Sequence, residues 1–410
     1  MENKKIVIIG AGVSGLVAAQ TLKNQGYEPI IFDKNTHPGG RVHTIVENNV
    51  IMDLGFQVML DEYPAIKEYL DTSSLDLIKF APGAVIFKDG RTYKLGDASR
   101  DLKFLLPTIF AGIGTLGDKW KVFTLSRKLK QKSLSDIFST PEITTEQYLK
   151  DYGFSDKIIE NFFRPFYAGI FLEDKLVTSS RMFEFVFKMF ATGNATVPAR
   201  GIKAIPEQLA NDIDINYNKE LLEVVGNQLT FKDGSQVQSD YTIVATPASD
   251  VVPNLRNQQQ DWKQTTVFYF KTDHEGFKQP IIGLLTGNGY ANNFHFLHDV
   301  FPNHQKVISI TVVKDYTQTE EELSSLLAQE LKQETGIELG DMIKYFKIKK
   351  ALPVLNNLNY ALPSTETQLT QHVFLAGDHL SNSSLNAAML NGAAAAQAVI
   401  DKAENRVVVG

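Results

Sequence analysis

Three glycines near the start of the chain have the spacing that binds a phosphate group. Gly10, Gly12 and Gly15 directly follow an apolar run, and Val13 and Ser14 open a stretch with a helical pattern. The first glycine permits a tight turn, the second lets the backbone approach a pyrophosphate, and the third lets helix and strand pack closely. The helix N-terminus then offers free N–H groups and a positive dipole end. This spacing predicts a dinucleotide site.

An acidic residue stands where such a site contacts the ribose. Asp33 closes the second predicted strand 18 residues beyond Gly15, and Lys34 follows it. A carboxylate at this place accepts hydrogen bonds from ribose hydroxyls and repels an added 2′-phosphate. We therefore expect a dinucleotide that lacks that phosphate.

The same glycine spacing occurs a second time and acts as an internal control. Gly112, Gly114 and Gly117 match it, but no apolar strand precedes them and Pro107 lies just upstream. No acidic residue follows at a strand end about 20 residues on. We predict an apolar helix or loop here, so the chain lacks the second dinucleotide fingerprint that an NAD(P)H-dependent reductase would need.

Composition excludes several function classes. The 410 residues exceed the usual size of one hydrophobic core, so two domains are expected. The net charge of −6 gives no reason to expect a nucleic-acid partner. The absence of cysteine excludes disulfides, thiolate metal sites and a cofactor linked through sulfur. No signal-peptide pattern is present and no apolar run reaches the roughly 18 residues of a spanning helix, so we expect a cytoplasmic protein.

Strand and helix patterns predict an α/β fold. A Rossmann-like nucleotide-binding domain with a parallel sheet is expected from residues 1–78, 195–252 and 365–410. A mixed α+β substrate domain, made of residues 79–194 and 253–364, is expected to be interleaved with it.

Aromatic residues concentrate in the predicted substrate domain. Residues 180–191 read as one helix that is apolar nearly all round, which is typical of a buried helix. Phe162, Phe163, Phe166, Tyr167 and Phe171 precede it. Each of these side chains alone suits an ordinary core, while together they also permit a large apolar pocket.

A second motif, Val373–Asp378, completes a pattern that resembles the flavin-containing amine oxidase superfamily. That group includes monoamine oxidases, protoporphyrinogen oxidases and phytoene-desaturase-like enzymes. The resemblance covers nearly the whole chain, and its most specific parts are Gly10–Arg41, Asp53–Gly55, Ala245–Pro247 and Gly377–Asp378.

The resemblance implies one FAD, bound non-covalently, and a set of residues that contact it. Arg41 would contact phosphate, and Gly377 and Asp378 would bond the ribityl–pyrophosphate region. A helix that begins near Leu385 would aim its N-terminus at the flavin N1–C2=O, where negative charge gathers on reduction. The implied cofactor residues are Gly10, Gly12, Val13, Ser14, Gly15, Asp33, Lys34, Gly40, Arg41, Gly55, Phe56, Gln57, Leu221, Gly377, Asp378, Leu385 and Asn386.

Finer features resemble the desaturase and protoporphyrinogen-oxidase branch. Ser383–Ala388 lacks the aromatic residue that amine oxidases place there as a wall of the amine cage. The lysine that holds water near flavin N5 in amine oxidases aligns with about Thr265, and Arg164–Phe171 again resembles desaturase-like proteins. The family's paired glycines after a proline are replaced here by Arg200 and Gly201.

Three functions follow from this resemblance. The first is an FAD-dependent oxidase or desaturase that removes hydride from an apolar small molecule and passes electrons to oxygen, a quinone or another carrier. The second is a flavin amine oxidase. The third is a non-redox FAD-dependent mutase, which would need paired arginines for a diphosphate, with Arg164, Arg181 and Arg200 available.

No catalytic side chain and no metal site are assigned. His295 and His298 are three residues apart, which would place them on opposite faces of one strand. Because the sequence offers no third ligand at metal spacing, we interpret both as structural or surface histidines.

One segment qualifies the expectation of a cytoplasmic protein. Residues 104–117 carry no charge, and residues 119–132 are rich in lysine and arginine with Trp120 and Phe123 interleaved. A buried segment followed by a solvated basic helix is one interpretation. A peripheral membrane contact through residues 104–132 is the other.

Overall fold

The computed structural model describes residues 4–96, 112–301 and 304–405. Its strands in chain order are β1 (Ile6–Ile9), β2 (Ile30–Phe32), β3 (Thr44–Glu47), β4 (Val50–Asp53), β5 (Met59–Leu60), β6 (Leu77–Lys79), β7 (Gly83–Lys88), β8 (Arg91–Gly96), β9 (Ala195–Pro198), β10 (Asp214–Asn216), β11 (Leu221–Val225), β12 (Gln228–Phe231), β13 (Gln236–Gln238), β14 (Tyr241–Val244), β15 (Trp262–Lys271), β16 (Ile282–Leu285), β17 (Ala291–Phe296), β18 (Val307–Val312), β19 (Met342–Pro353) and β20 (Val373–Leu375).

The α-helices in chain order are α1 (Val13–Asn24), α2 (Pro64–Tyr69), α3 (Leu116–Gln131), α4 (Leu134–Ser139), α5 (Thr145–Asp151), α6 (Asp156–Ile158), α7 (Arg164–Phe171), α8 (Ser180–Thr192), α9 (Ala204–Leu209), α10 (Ala248–Val251), α11 (Leu297–Val300), α12 (Glu320–Thr335) and α13 (Leu385–Ala403). A π-helical turn, Ile159–Phe163, links α6 to α7.

A parallel sheet of five strands forms the predicted nucleotide-binding half, in the order β10-β2-β1-β14-β20. The four residues of β1 are all buried, because a parallel sheet is covered on both faces. Placing β14 between β1 and β20 brings the C-terminal motif to the same sheet edge as the first glycine turn. The prediction of an α/β fold with a parallel sheet is confirmed, while the domain boundaries stay a prediction.

Layers on both faces of this sheet hold it in place. Helices α1 and α13 pack closely, since a Cβ placed on Gly392 would lie 2.2 Å from the carbonyl oxygen of Ser14. The antiparallel sheet β11-β12-β13 supplies Leu221, Leu229 and Phe231 to a core that also contains Val7 of β1. Leu221 therefore lies in a second layer over the nucleotide-binding sheet.

A mixed sheet of seven strands forms the other half, in the order β19-β15-β18-β17-β16-β7-β8. One of its faces packs on α12 through a core that includes Phe294, Phe296 and Leu327. Alternation along β17 points Asn293 and His295 to the opposite face. The two faces of this sheet therefore differ in polarity.

Helices α3 to α8 form an apolar layer next to the seven-stranded sheet. Helix α8 begins at Ser180 and buries Phe183, Phe185 and Val186, so the prediction of a buried helix is confirmed. In the second glycine match, Gly112 and Gly114 lie in a turn and Gly117 lies in the first turn of α3, just after the N-cap Thr115, in agreement with the predicted helix or loop. Residues 104–111 of the uncharged segment lie outside the described residues.

Candidate flavin site

The first glycine turn has the geometry of an open phosphate cradle. Gly10 has a φ of +104°, and Gly12 caps α1 without any side-chain hydrogen bond to its N–H groups. A Cβ on Gly15 would lie 1.9 Å from the carbonyl oxygen of Gly10, whereas a Cβ on Gly12 would meet no atom within 4 Å. Gly15 therefore serves packing, and Gly12 faces open space at the helix N-terminus.

The side chain of Asp33 holds the first glycine turn in place through hydrogen bonds. Its buried carboxylate accepts hydrogen bonds from the backbone N–H of Ala11 at 2.6 Å and of Asn35 at 2.7 Å. The backbone N–H of Lys219 donates to the Asp33 carbonyl oxygen at 2.8 Å, which ties the segment before Leu221 to the end of β2. Lys34 is exposed beside it.

A second glycine pair covers the first turn. The backbone N–H of Gly39 donates to the Ala11 carbonyl oxygen at 2.8 Å. A Cβ on Gly40 would lie 3.7 Å from the Cα of Gly12, so the two glycine motifs meet across the same space. Only residues without side chains leave this space open to a ligand.

Arg41 bridges this glycine pair to the C-terminal motif. Its guanidinium donates to the Asp378 carboxylate and, at 3.1 Å, to the Ala351 carbonyl oxygen, and it lies 5.2 Å over the ring of Trp262. Burial raises the pKa of Asp378, but the charge and hydrogen bond of Arg41, together with His379, outweigh burial and hold that pKa below its usual value. Asp378 is therefore an anion at neutral pH.

The start of α13 faces the same region. Ser384 caps the helix by accepting from the Ala387 N–H at 3.0 Å, and Leu385 is its first residue, as predicted. The Asn386 carboxamide oxygen accepts from the Ala65 N–H at 3.1 Å. Its Nδ2 is buried near the Tyr360 hydroxyl and has no partner at full hydrogen-bond geometry among the described residues.

The loop after β4 carries the remaining predicted residues. Gly55 has a φ of +97° and open space where a side chain would lie. The Gln57 carboxamide donates to the Leu54 carbonyl oxygen at 2.6 Å and to that of Arg41 at 3.0 Å. The Phe56 ring lies 4.9 Å from that of His295. This loop thus joins Arg41 to the substrate half.

These features fit a flavin nucleotide. Gly12, Gly40 and Gly55 leave room, the α1 N-terminus offers N–H donors, and Arg41 supplies a cation suited to phosphate. The described residues contain no cluster of His, Cys, Asp and Glu that could hold a metal ion.

A cavity of about 570 Å³ adjoins this cradle. Phe56 belongs to its wall, which connects the cavity to the predicted flavin loop. Most of the wall is aromatic or aliphatic, and its aromatic members are Phe56, Phe80, Phe123, Phe162, Phe166, Tyr167, Phe187 and Phe190. The three charged side chains among its lining residues are the cations Lys119, Arg127 and Lys130 of α3.

The three arginines considered for a diphosphate lie outside the cavity wall. Arg164 pairs with Glu160 and Glu146, and the side chain of Arg200 is 71% exposed beside Glu207. Arg181 donates to the Thr140 carbonyl oxygen at 2.7 Å and to the Leu358 carbonyl oxygen at 2.8 Å. Arg164 and Arg181 are satisfied within the protein and Arg200 is largely exposed, so the three form no paired diphosphate site at the cavity.

The interpretation of the two histidines needs correction. His298 lies in helix α11, so it does not share a strand with His295. The chain turns at Phe296, which the apolar alternation did not indicate. His295 lines a small void with Asp53, Gly55 and Gln57, and burial lowers its pKa to about 4. Its imidazole is therefore neutral at pH 7.

A buried polar patch was missed from the sequence. Asn293 and His295 of β17 pair in register with Thr311 and Ser309 of β18, and each carries a buried polar atom without a partner. The alternation of polar and aromatic residues along β17 was the available signal. Thr265, in contrast, is satisfied by donating to the Val312 carbonyl oxygen at 2.9 Å.

Similarity to known proteins agrees with this geometry. The family model described as flavin containing amine oxidoreductase matches residues 13–400. The chain is 25% identical over 266 residues to a 4,4'-diapophytoene desaturase (4,4'-diaponeurosporene-forming) of Staphylococcus aureus. This alignment covers 58% of the present chain and 53% of the relative. The match thus spans about half the length of that relative.

Two solved structures share the fold over nearly the whole chain. A candidate protoporphyrinogen oxidase from Exiguobacterium sp. 255-15 has a TM-score of 0.73 and 16% identity, covering 98% of this chain and 100% of that one. A CLA-producing fatty acid isomerase from P. acnes has a TM-score of 0.72 and 17% identity, covering 97% and 99%. With the family match extending over residues 13–400, this chain belongs to the flavin-containing amine oxidoreductases.

Proposed function

We propose that the protein is an FAD-dependent oxidase or desaturase that removes hydride from an apolar small molecule. The observation that supports this proposal most directly is the cavity of about 570 Å³, whose mostly apolar wall includes Phe56 of the predicted flavin loop. Small-molecule sites usually have this size and lining. A relative named as a diapophytoene desaturase supports the same reaction type.

We further propose that the cofactor is FAD and that the residues predicted from the sequence hold it without a covalent bond. The Gly12 turn and Arg41 would bind the pyrophosphate, Asp33 the ribose, and Asp378 the ribityl region. Bound flavin supplies hydride acceptance. The chain's own contribution is to orient the substrate and exclude water, which the aromatic wall suits.

Amine oxidation is the weaker candidate on electrostatic grounds. No carboxylate belongs to the described cavity wall, while Lys119, Arg127 and Lys130 do. A protonated amine would be repelled by these cations and would gain no opposite charge. The position aligned with the amine-oxidase lysine is occupied by the satisfied hydroxyl of Thr265.

A peripheral membrane contact is proposed for the outer surface of α3. Leu116, Trp120 and Phe123 are 73%, 66% and 46% exposed, and Phe123 also borders the cavity. Exposed aromatic and basic residues together suit the interface of an anionic membrane. An apolar substrate would then reach the cavity from the membrane surface. No helix among the described residues is long and apolar enough to cross a bilayer.

Anaerobic bleaching of the flavin tests the reaction class. The purified holoenzyme is mixed with panels of polyenes, porphyrinogens and simple amines, and absorbance of oxidised flavin is followed. Bleaching by a polyene or porphyrinogen is expected. Bleaching by simple amines alone would replace the proposal by amine oxidation. Stopped-flow reoxidation by oxygen or a soluble quinone then identifies the electron acceptor.

Acid precipitation tests how the flavin is attached. Because no cysteine is present, we expect all flavin in the supernatant after precipitation and FAD as its chromatographic identity. Flavin retained in the protein pellet would show a histidyl or tyrosyl linkage instead.

A further inference from the structure

Among the described residues that line the 570 Å³ cavity, every charged side chain is a cation and belongs to α3. Lys119, Arg127 and Lys130 come from α3, while the aromatic wall comes largely from α7, α8 and the turn before α7. Residues 119, 123, 126, 127 and 130 share one side of the helix, as their spacing of three, four and seven requires. The cavity is therefore apolar in its body and cationic at the border formed by α3.

Two of these cations are not neutralised by the protein. Arg127 and Lys130 have no carboxylate within ion-pair distance in the described parts of the chain, and Arg127 instead lies 5.9 Å from the Phe123 ring. The one acid of α3, Asp118, is occupied by hydrogen bonds from Thr115 and Ser155. The positive charges of Arg127 and Lys130 are therefore available to attract an anion.

We propose that the substrate is an amphipath whose carboxylate is held by Arg127 and Lys130 while its apolar body extends toward Phe56. This inference rests on the proposed function, since it names the substrate class of the same cavity. A pure hydrocarbon gains nothing from cations in its site, whereas a carboxylate matches the guanidinium fork.

The position of the cations on α3 favours a carboxylate over a phosphate. Both residues lie in the C-terminal half of the helix, where backbone N–H groups are bonded within the helix. Phosphate sites commonly add free backbone N–H donors, which this border does not provide. Anchoring the head at α3 also determines which carbon of the body lies near Phe56 and therefore reacts.

The proposal is tested by comparing the binding of a fatty acid, which carries a carboxylate charge, with that of its uncharged ester. The probes are cis-parinarate and its methyl ester, which share one conjugated chain and fluoresce in apolar surroundings, titrated into holoenzyme without lipid. The wild type is expected to bind the acid about tenfold more tightly than the ester, and R127Q/K130Q to lose that preference with little change for the ester. The matched control K121Q/K128Q removes two charges from the same helix outside the cavity wall.

The outcomes separate this inference from the proposed function. Equal affinity of the wild type for acid and ester overturns the carboxylate inference but leaves an apolar substrate intact. An equal loss of preference in both double variants also overturns it, because general attraction of anions to α3 would then explain the result. If neither probe binds while a simple amine bleaches the flavin, the proposed function fails as well.

Discussion

The guanidinium of Arg41 donates a hydrogen bond to the buried carboxylate of Asp378, although the two residues are 337 positions apart in the chain. The Arg41 guanidinium also donates a hydrogen bond to the Ala351 carbonyl oxygen. Guanidinium has five N–H donors, so donors remain for a phosphate after both bonds are made. One side chain thereby links the second glycine motif to the C-terminal motif, and it would also contact the predicted cofactor.

Replacing Arg41 by alanine should weaken FAD binding. Loss of a charge-assisted hydrogen bond costs roughly 1–3 kcal/mol, which is about a 5- to 150-fold rise in Kd. The measurement is fluorescence titration of apoprotein with FAD. Asp33→Ala should have an effect of similar size, with added loss of stability because Ala11 and Asn35 lose their acceptor.

The double variant Arg41→Ala/Asp378→Asn separates two causes of the Arg41 effect. Removing Arg41 alone leaves the buried Asp378 carboxylate without its cation, which destabilises the fold. Neutralising that carboxylate should restore part of the thermal stability but not the affinity for FAD. Recovery of both would mean that Arg41 acts only through Asp378.

Gly12→Ala should abolish FAD binding without harming the fold. The added methyl group meets no protein atom within 4 Å, and the φ of −71° suits alanine. Gly15→Ala is the contrasting variant, because its methyl group would lie 1.9 Å from the Gly10 carbonyl oxygen. We expect wild-type unfolding of the Gly12→Ala apoprotein and a large loss for Gly15→Ala. Normal FAD retention in Gly12→Ala would place the pyrophosphate elsewhere.

Asp53→Asn should stabilise the protein above pH 6 but not below pH 4. Burial raises the pKa of Asp53 to about 6, against hydrogen bonds from Thr44 and Ile202 that lower it. A carboxyl whose pKa is raised on folding contributes stability that is present below the unfolded pKa and lost as pH rises through the folded pKa. Thr44 and Ile202 both donate to the Oδ1 atom of Asp53, and an asparagine side chain retains this acceptor.

The size of the Asp53 effect follows from the same shift. At pH 8 the charged side chain costs up to about 3 kcal/mol in the wild type, and asparagine removes this cost. Urea unfolding of both proteins at pH 4 and pH 8 measures it. A constant difference at the two pH values would show that Asp53 is not the titrating group.

Trp120→Ser/Phe123→Ser should reduce binding to anionic vesicles. These apolar side chains are exposed on α3, so the variant loses apolar surface that would be buried at the membrane interface. The basic residues, which add about 1 kcal/mol of attraction each near a membrane surface, remain in the variant. Co-sedimentation with anionic and neutral liposomes at low and high salt is the measurement. Leu326→Ser on α12 is the matched control, since Leu326 is also an exposed apolar residue. Absence of wild-type binding to either vesicle would contradict the membrane contact.

Local patterns in the amino-acid sequence by themselves determined the nucleotide-binding half. Gly10, Gly12 and Gly15 act over one turn, and the acid at the end of β2 acts over one strand–helix–strand unit, so their spacing carries the geometry. Local patterns also predicted that the second glycine match is a helix or loop and not a nucleotide turn, and they predicted the start of α13 near Leu385. Short-range backbone geometry can be predicted from the sequence because it depends on only a few neighbouring residues.

Only the tertiary structure decided what surrounds the substrate. The sequence could not show that Arg164 and Arg181 are satisfied within the protein, that His298 leaves the strand of His295, or that Arg127 borders a cavity. Each of these facts depends on which faces of separate helices and sheets meet. Such contacts join residues distant in the chain, and no periodicity within one element encodes them.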